Sequence, residues 1–360
     1  MDCTAAGCLP TYIVLGAGKT GTSSLYGYLS GHPSILPAVQ KQVHYYKYSY
    51  SSGQKWYRAQ FPPASSFSES ASPPVIATGE AAPGYLPYPY AAARIRADYP
   101  SLSVKLITSV RHPLERAFSS YKYTYLPGAS GKKSGYVVPF ATFLSAELDF
   151  LESDCLSPGG LAELAAGGEA YGGPAEIRPR HNVVQGCYEL PSASAAKAKR
   201  AGPGGQWAGI KAEHPDAILN AGAEYLTAAL VGRGLYSYQL SWYAGAFPKD
   251  SLYVICSEGL REDPAWEMER LGSWMGIEAG WGDWGEIVKV GAFNVGGGGE
   301  GYTKVTEWEK AGQVGLHDVA EMGLGEELMA RVREVVRAER ARLNEMREQG
   351  LFWGEDCGWE

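Results

Sequence analysis

The sequence predicts an α/β fold in which a central parallel sheet is flanked by helices on both faces. Short apolar runs suited to buried strands alternate with helical periodicity at Tyr12 to Leu29, Val75 to Tyr99, Leu106 to Tyr125 and Leu252 to Trp274. In the first and third of these windows a polar turn separates strand from helix, and open α/β sheets bind ligands at the carboxyl ends of their strands. The 360 residues, 45% of them hydrophobic, are enough for one large domain with insertions spanning residues 1–360. No internal repeat of fixed period is present, no apolar run reaches transmembrane length, and Met1 to Pro10 does not read as a signal peptide.

Thr11 to Ser34, TYIVLGAGKTGTSSLYGYLSGHPS, is the most informative window. Tyr12 to Leu15 is a short buried strand, Gly16, Gly18 and Gly21 free the backbone, and Thr22 to Leu29 continues as a helix. The amides at the helix start then face an anion, Lys19 adds a mobile charge, and Thr20, Thr22, Ser23 and Ser24 add hydroxyls. A phosphate or sulfate is the expected ligand. The Walker A loop requires a glycine five residues before Gly18, where Ile13 stands, so Gly-Lys-Thr matches while the loop is too short.

Leu106 to Tyr121, LITSVRHPLERAFSSY, repeats the arrangement, with Arg111 at the strand end and Ser119 two turns into the helix. Arginine offers a planar fork for phosphate oxygens, and Ser119 lies near the same helix face as the turn. The alternative for Arg111 is an ion pair with Glu115. Two anion turns imply a ligand with phosphates at both ends. A kinase would need an acidic strand end, and this strand ends in Arg111.

In these motifs the chain resembles the sulfotransferases that use 3′-phosphoadenosine 5′-phosphosulfate (PAPS), in particular the carbohydrate type that includes the heparan and chondroitin sulfate enzymes. In that family a K-x-G-[ST] loop holds the 5′-phosphosulfate and an R-x-P-x-x-R-x-x-S segment the 3′-phosphate; Lys19 to Ser24 and Arg111 to Ser119 look like these. KQVHYY (Lys41 to Tyr46), GQKWYRAQFP (Gly53 to Pro62), GEAAPGY (Gly79 to Tyr85) and the segment Gly232 to Leu260 follow in family-like order. The resemblance implies a P-loop-like three-layer sandwich with PAPS as donor, PAP as product and no metal. Lys19 is placed to neutralise charge on the departing phosphate, and the acceptor is a hydroxyl, or secondarily an amine, of a carbohydrate or small molecule attacking sulfur in line. A noncatalytic PAP-binding protein is the alternative.

The expected base is where the chain departs from those relatives. Many heparan sulfate enzymes read K-E-x-H-F-F, and here Gln42 replaces the glutamate. His44, at the matching histidine position, becomes the first candidate, with an orienting or packing role as its alternative. Glu80, a carboxylate after a strand that would point into the cleft, is the second. Ala81 stands where relatives carry a lysine, which weakens an inherited grip on a polyanion.

The interval from about 126 to 230 is rich in Gly, Ala and Ser, reads as loops around short helices that bury little, and serves either acceptor choice or as a tolerated insertion. Gly291 to Gly301 is a further glycine loop whose place resembles the one that closes over PAPS, which makes Tyr302 and Lys304 candidate donor contacts. Glu326 to Gln349 reads as a docking helix with a basic outer face. A net charge of −7 argues against nucleic acid and against a long polyanionic acceptor. The six cysteines lack zinc spacing; Cys155 and Cys187 suit a disulfide in an oxidising lumen, and Cys256, in LYVIC, reads as an inert core thiol. The compartment is the Golgi lumen if this is a catalytic domain without its anchor, and otherwise the cytoplasm.

Overall fold

A computed structural model of the chain describes residues 2–68, 70–125, 140–157, 230–293, 304–305 and 324–359. Its elements begin with a hairpin of β1 (Cys3–Thr4) and β2 (Gly7–Cys8), closed by a Cys3–Cys8 disulfide. Then follow β3 (Tyr12–Gly16), α1 (Thr22–Gly31), β4 (Ile35–Pro37), α2 (Gly53–Arg58), β5 (Ala77–Ala81), α3 (Pro89–Asp98), β6 (Lys105–Val110), α4 (Pro113–Tyr125) and α5 (Phe140–Phe150). The second half carries α6 (Tyr236–Ala246), β7 (Leu252–Cys256), α7 (Ser257–Glu262), α8 (Pro264–Met275), α9 (Trp284–Val288), the pair β8 (Ala292–Phe293) and β9 (Lys304–Val305), α10 (Glu326–Glu348) and β10 (Trp353–Gly354).

Six strands form one sheet in the order β10-β7-β6-β3-β5-β4, and every pairing in it is parallel. The side-chain period of two explains the layers. Ile13 and Leu15 enter one core with Leu106, Val110, Leu252 and Val254, while Tyr12 and Val14 enter the other with Ile107, Tyr253 and Ile255. The first core is closed by α3, α4, α6 and α10, and the second by α1, α8 and Trp284 of α9. With both faces covered the strands read as unbroken apolar runs, as the sequence does at YIVL and LYVI.

The sheet order sets the ligand position. From β3 the chain moves outward to β4 and β5 on one side, then returns to place β6 on the other. The carboxyl ends of β3 and β6 therefore flank a topological switch point, the crevice where open α/β sheets take their ligands.

Two expectations are corrected here. Cys256 is not a free core thiol: it forms a disulfide with Cys357, 101 residues away, next to the short strand β10 that extends the sheet beyond β7. The interval after residue 126 is also less dispensable than its composition suggests, because Phe140, Phe143, Leu144, Leu148 and Leu151 are buried in the first core. Residues 126–139 and 158–229 lie outside the described part, and so does Cys187; Cys155 is disulfide-bonded. The docking helix appears as expected, as α10, with Val332, Val335, Val336 and Leu343 buried.

Candidate active site

The turn from β3 into α1 is built by the backbone. Ala17 donates its amide to the Ser109 carbonyl at 2.7 Å, and Ser109 Oγ donates to the Thr20 carbonyl at 2.6 Å, which fastens the loop to β6. Gly21 caps α1 in the left-handed region at φ 85°, a conformation glycine adopts without cost, and no side chain caps the helix. A methyl group added at Gly18 would meet no atom within 4 Å, so the loop borders open space. That space lies at a helix start with uncapped amide ends, which fits an oxyanion.

Lys19 sits in this loop at φ 72°, with Nζ 4.3 Å from the centre of the Tyr123 ring. Thr20 does not offer its hydroxyl to the opening: the side chain is fully buried and donates to the Ala17 carbonyl at 2.7 Å. Thr22 and Ser24 are buried on α1, while Ser23 is half-buried and accepts a hydrogen bond from Lys41 Nζ at 2.8 Å.

The second turn follows β6. Arg111 donates from Nε and Nη2 to Glu115 Oε2 at 3.0 and 2.7 Å, so the ion pair weighed from the sequence is formed, with both side chains almost buried. Two further elements hold the turn's backbone. Tyr236 Oη donates to the Arg111 carbonyl at 2.9 Å, and the His112 amide donates to Glu258 Oε1 at 2.8 Å. Ser119 is half-buried on α4. Arg116, one turn into the same helix, is 1% exposed and donates from Nη1 to the Gly18 carbonyl at 3.3 Å and from Nη2 to the Leu230 carbonyl. Burial pulls its guanidinium down to about 10.

The third component is the segment after β4. Ala81 donates to the Lys41 carbonyl at 2.8 Å, which docks the segment on the end of β5. His44 then turns the chain in the left-handed region, at φ 55°, into a single wide turn over Tyr45–Ser49. Burial, reinforced by Lys47 and Lys41, pushes the imidazole down to about 4, and its Nδ1 is buried without a partner. Beside it Lys47 Nζ lies 4.7 Å from the Tyr48 ring centre and 4.4 Å from that of Tyr88. Tyr48 is 52% exposed.

Glu80 lies beneath this segment instead of pointing into the cleft, which corrects the orientation expected from sequence. Fully buried, it accepts from Tyr57 Oη at 2.7 Å and Tyr85 Oη at 2.9 Å on Oε1, and from the Val43 amide at 3.0 Å on Oε2. Burial pushes the carboxyl up to about 7, against these hydrogen bonds and one from the His44 backbone.

The structure thus brings Gly18 to Ser24, Arg111, Lys41 and His44 to the carboxyl ends of β3, β5 and β6. Tyr302 lies outside the described residues, and Lys304 is placed only as the partner of Phe293 in the β8–β9 pair. Lys41, Arg116 and Glu258 were not singled out by sequence reasoning, although Arg116 occupies the second arginine of the R-x-P-x-x-R motif. Left-handed backbone is a physical signal that sequence does not show. Among the described residues, Lys19, His44 and Leu102 are the non-glycine residues with positive φ, and two of these are site candidates.

No protein-family model matches the chain. Among curated proteins it is similar to the membrane-associated sulfotransferase kil1 of Dictyostelium discoideum, 24% identical over 295 residues, which cover 75% of this chain and 56% of that protein. It is 36% identical over 116 residues to the human heparan sulfate glucosamine 3-O-sulfotransferase 3B1, covering 32% of this chain and 27% of the relative. To the human bifunctional heparan sulfate N-deacetylase/N-sulfotransferase 3 it is 31% identical over 160 residues, 42% of this chain and 17% of the relative. The chain therefore spans about half or less of the length of these relatives. Among solved structures, a sulfotransferase from Alicyclobacillus acidocaldarius aligns with a TM-score of 0.47 and 18% identity, covering 94% of this chain and 96% of that one.

Proposed function

We propose, from the chain's similarity to a membrane-associated sulfotransferase and to heparan sulfate sulfotransferases, that it moves the sulfuryl group of PAPS to a hydroxyl of a carbohydrate or small metabolite. One observation carries the reading: two anion-competent turns follow adjacent parallel strands at the switch point, and Arg116 ties one to the other. Two such turns on neighbouring strands suit a nucleotide with charge at both ends. Gly18 to Ser24 take the 5′-phosphosulfate, and Arg111 with Ser119 the 3′-phosphate, with Thr20 supporting the loop from inside.

PAPS, when bound, supplies a sulfuryl group whose bond to the 5′-phosphate oxygen breaks as the acceptor oxygen bonds to sulfur. The residues of the chain do the rest by position and charge. Lys19 neutralises the charge that gathers on the departing phosphate. His44 accepts the acceptor's proton, since burial keeps its imidazole neutral at physiological pH. Glu80 acts through the backbone of Val43 and His44, as a positioning residue. The exposed ring of Tyr48 and the ammonium of Lys47 border the acceptor side, where a sugar ring stacks on the aromatic face.

Among the described residues no cysteine is free, and that supports an oxidising compartment. No helix of the described residues is long and apolar enough to cross a membrane. The test is transfer of label from PAPS across a panel of carbohydrate and small hydroxyl acceptors. Turnover with any of them supports the proposal, PAP binding without turnover favours a noncatalytic binder, and neither binding nor transfer overturns both.

A further inference from the structure

The donor site holds a charged side chain that neither turn explains. Lys41 is fixed at its backbone by the Ala81 amide, and its side chain runs inward until only 8% remains exposed. There Nζ donates to Ser23 Oγ at 2.8 Å. An ammonium carries three N–H donors, and among the described residues no carboxylate pairs with this one. The nearby carboxylate, Glu80, spends its oxygens on Tyr57, Tyr85 and Val43. The charged and titratable groups that face Lys41 are Lys19, which repels it, and His44. Burying a cation against a second cation is costly unless an anion joins them.

We propose that Lys41 is a second cation of the donor site, closing with Lys19 on the anion held at the start of α1 while Ser23 fixes where its ammonium points. This rests on the reading of the Gly16 to Ser24 loop as the 5′-phosphosulfate site. Two lysines and a serine hydroxyl at one helix start surround a small tetrahedral anion better than Lys19 alone, and Lys41 approaches from the side of β5, which also carries the His44 segment. In the free protein burial and Lys19 pull the Lys41 ammonium down to about 7. An arriving anion reverses that balance, so binding draws a proton onto Lys41 when the solution lies above that value.

Calorimetric titration of PAP at about pH 8, in two buffers of different ionisation enthalpy, reads affinity and proton uptake together. The wild type is expected to take up as much as about one proton per PAP bound. K41M is expected to bind roughly 10- to 100-fold more weakly, without uptake. K41R is expected to keep most of the affinity but also without uptake, because a guanidinium stays charged. Replacing a buried amine by an apolar side chain is expected to keep or raise the Tm of K41M, which separates its lost affinity from misfolding. K41M that binds PAP and takes up protons like the wild type overturns the proposal. A wild type that binds no PAP overturns the donor reading instead; pyrophosphate then decides, since equal binding by wild type and K41M removes Lys41 from the site and weaker binding by K41M keeps it there.

Discussion

Arg116 reaches from α4 to the carbonyl of Gly18, with Nη1 donating across 3.3 Å, so the loop after β3 and the helix after β6 are one mechanical unit. The same guanidinium also holds the Leu230 carbonyl, and is itself 1% exposed. An arginine suits this place because its fork satisfies two carbonyls that no single lysine ammonium at the same depth would align with.

Replacing Arg116 by methionine is therefore expected to lower stability and nucleotide affinity together. Two carbonyls lose their donor, at about 1–3 kcal/mol for each that stays buried and unsatisfied. Urea unfolding should show a loss of roughly 3 kcal/mol, and titration of the folded fraction with PAP should show weaker binding. Undiminished affinity in R116M would mean that the two turns keep their spacing without the arginine.

On the proposed reading Lys19 and Arg111 act on the ligand itself, so K19A and R111A are expected to lower PAP affinity by about 10- to 100-fold each, as lost charge-assisted hydrogen bonds do. Arg111 also neutralises Glu115, and R111A would leave that carboxylate unpaired beside the proposed 3′-phosphate site. R111A should accordingly lose more affinity than the double variant R111A/E115A. Equal affinities in the two would remove Glu115 from the argument.

What the sequence made legible was local. YIVLGAGKTGTSS and LITSVRHPLERAFSS each contain a strand, a turn and a helix within one window, and β3, α1, β6 and α4 follow those windows closely. What it hid depends on neighbours far along the chain. β5 is buried at every position, so no polar and apolar alternation indicates that Glu80 faces Tyr57 and Tyr85 rather than the crevice. Lys41 meets Ser23 only because β4 and β5 carry its segment back to the start of α1. The Cys256–Cys357 bond requires β10 to pair with β7, and a two-residue strand leaves almost no periodicity to read.

If His44 is the base, its depressed value moves the acid limb of the rate profile. Burial and the two lysines hold it at about 4, so it stays neutral as pH falls from 7 to about 5, and kcat/KM should decline only near 4. H44A is expected to lose turnover while PAP affinity persists. The stability sign is separate. The folded imidazole binds fewer protons than the unfolded one between about 4 and its ordinary 6.5, so this group makes stability fall as pH drops through that window. A rate limb near 6.5 would show that the imidazole is not depressed, and full turnover in H44A would reassign the base.

Glu80 supports that loop from below, and E80Q is expected to lower kcat with little change in PAP affinity. Glutamine keeps an oxygen for the tyrosines but turns an amide donor toward the Val43 amide, so two donors meet at Oε2's place. A stability loss of about 1–3 kcal/mol should accompany it. The carboxyl's folded value is raised, so the folded state holds more protons than the unfolded between the ordinary 4.5 and about 7, and this group makes stability fall as pH rises through that range. The difference between E80Q and wild type, followed by thermal unfolding across that window, should carry this slope with opposite sign.

The Cys256–Cys357 bond closes the largest loop of the described disulfides; its loss should lower stability, and should reach the proposed donor site only when the tail's second anchor is removed too. With its ends 101 positions apart, chain entropy alone would give it about 5 kcal/mol, and disulfides typically deliver about 2–4 kcal/mol. C357S should lower stability by about 2–4 kcal/mol in denaturant unfolding, whereas reduction of the wild type opens Cys3–Cys8 and the Cys155 bond as well. The bond also seats the last residues of the chain. Trp359 lies 6.3 Å from the His112 ring and 6.0 Å from that of Tyr236, the residue whose hydroxyl holds the Arg111 carbonyl. Arg340 clasps Asp356 and the Trp359 carbonyl independently, at 2.9 and 2.7 Å, so the tail has a second anchor on α10. C357S alone is therefore expected to keep most of its PAP affinity and C357S/R340A to lose it, by about the several-fold that a loosened Arg111 turn implies. Equal affinity in the single and double variants would show that the tail staples the sheet edge without steadying the 3′-phosphate turn.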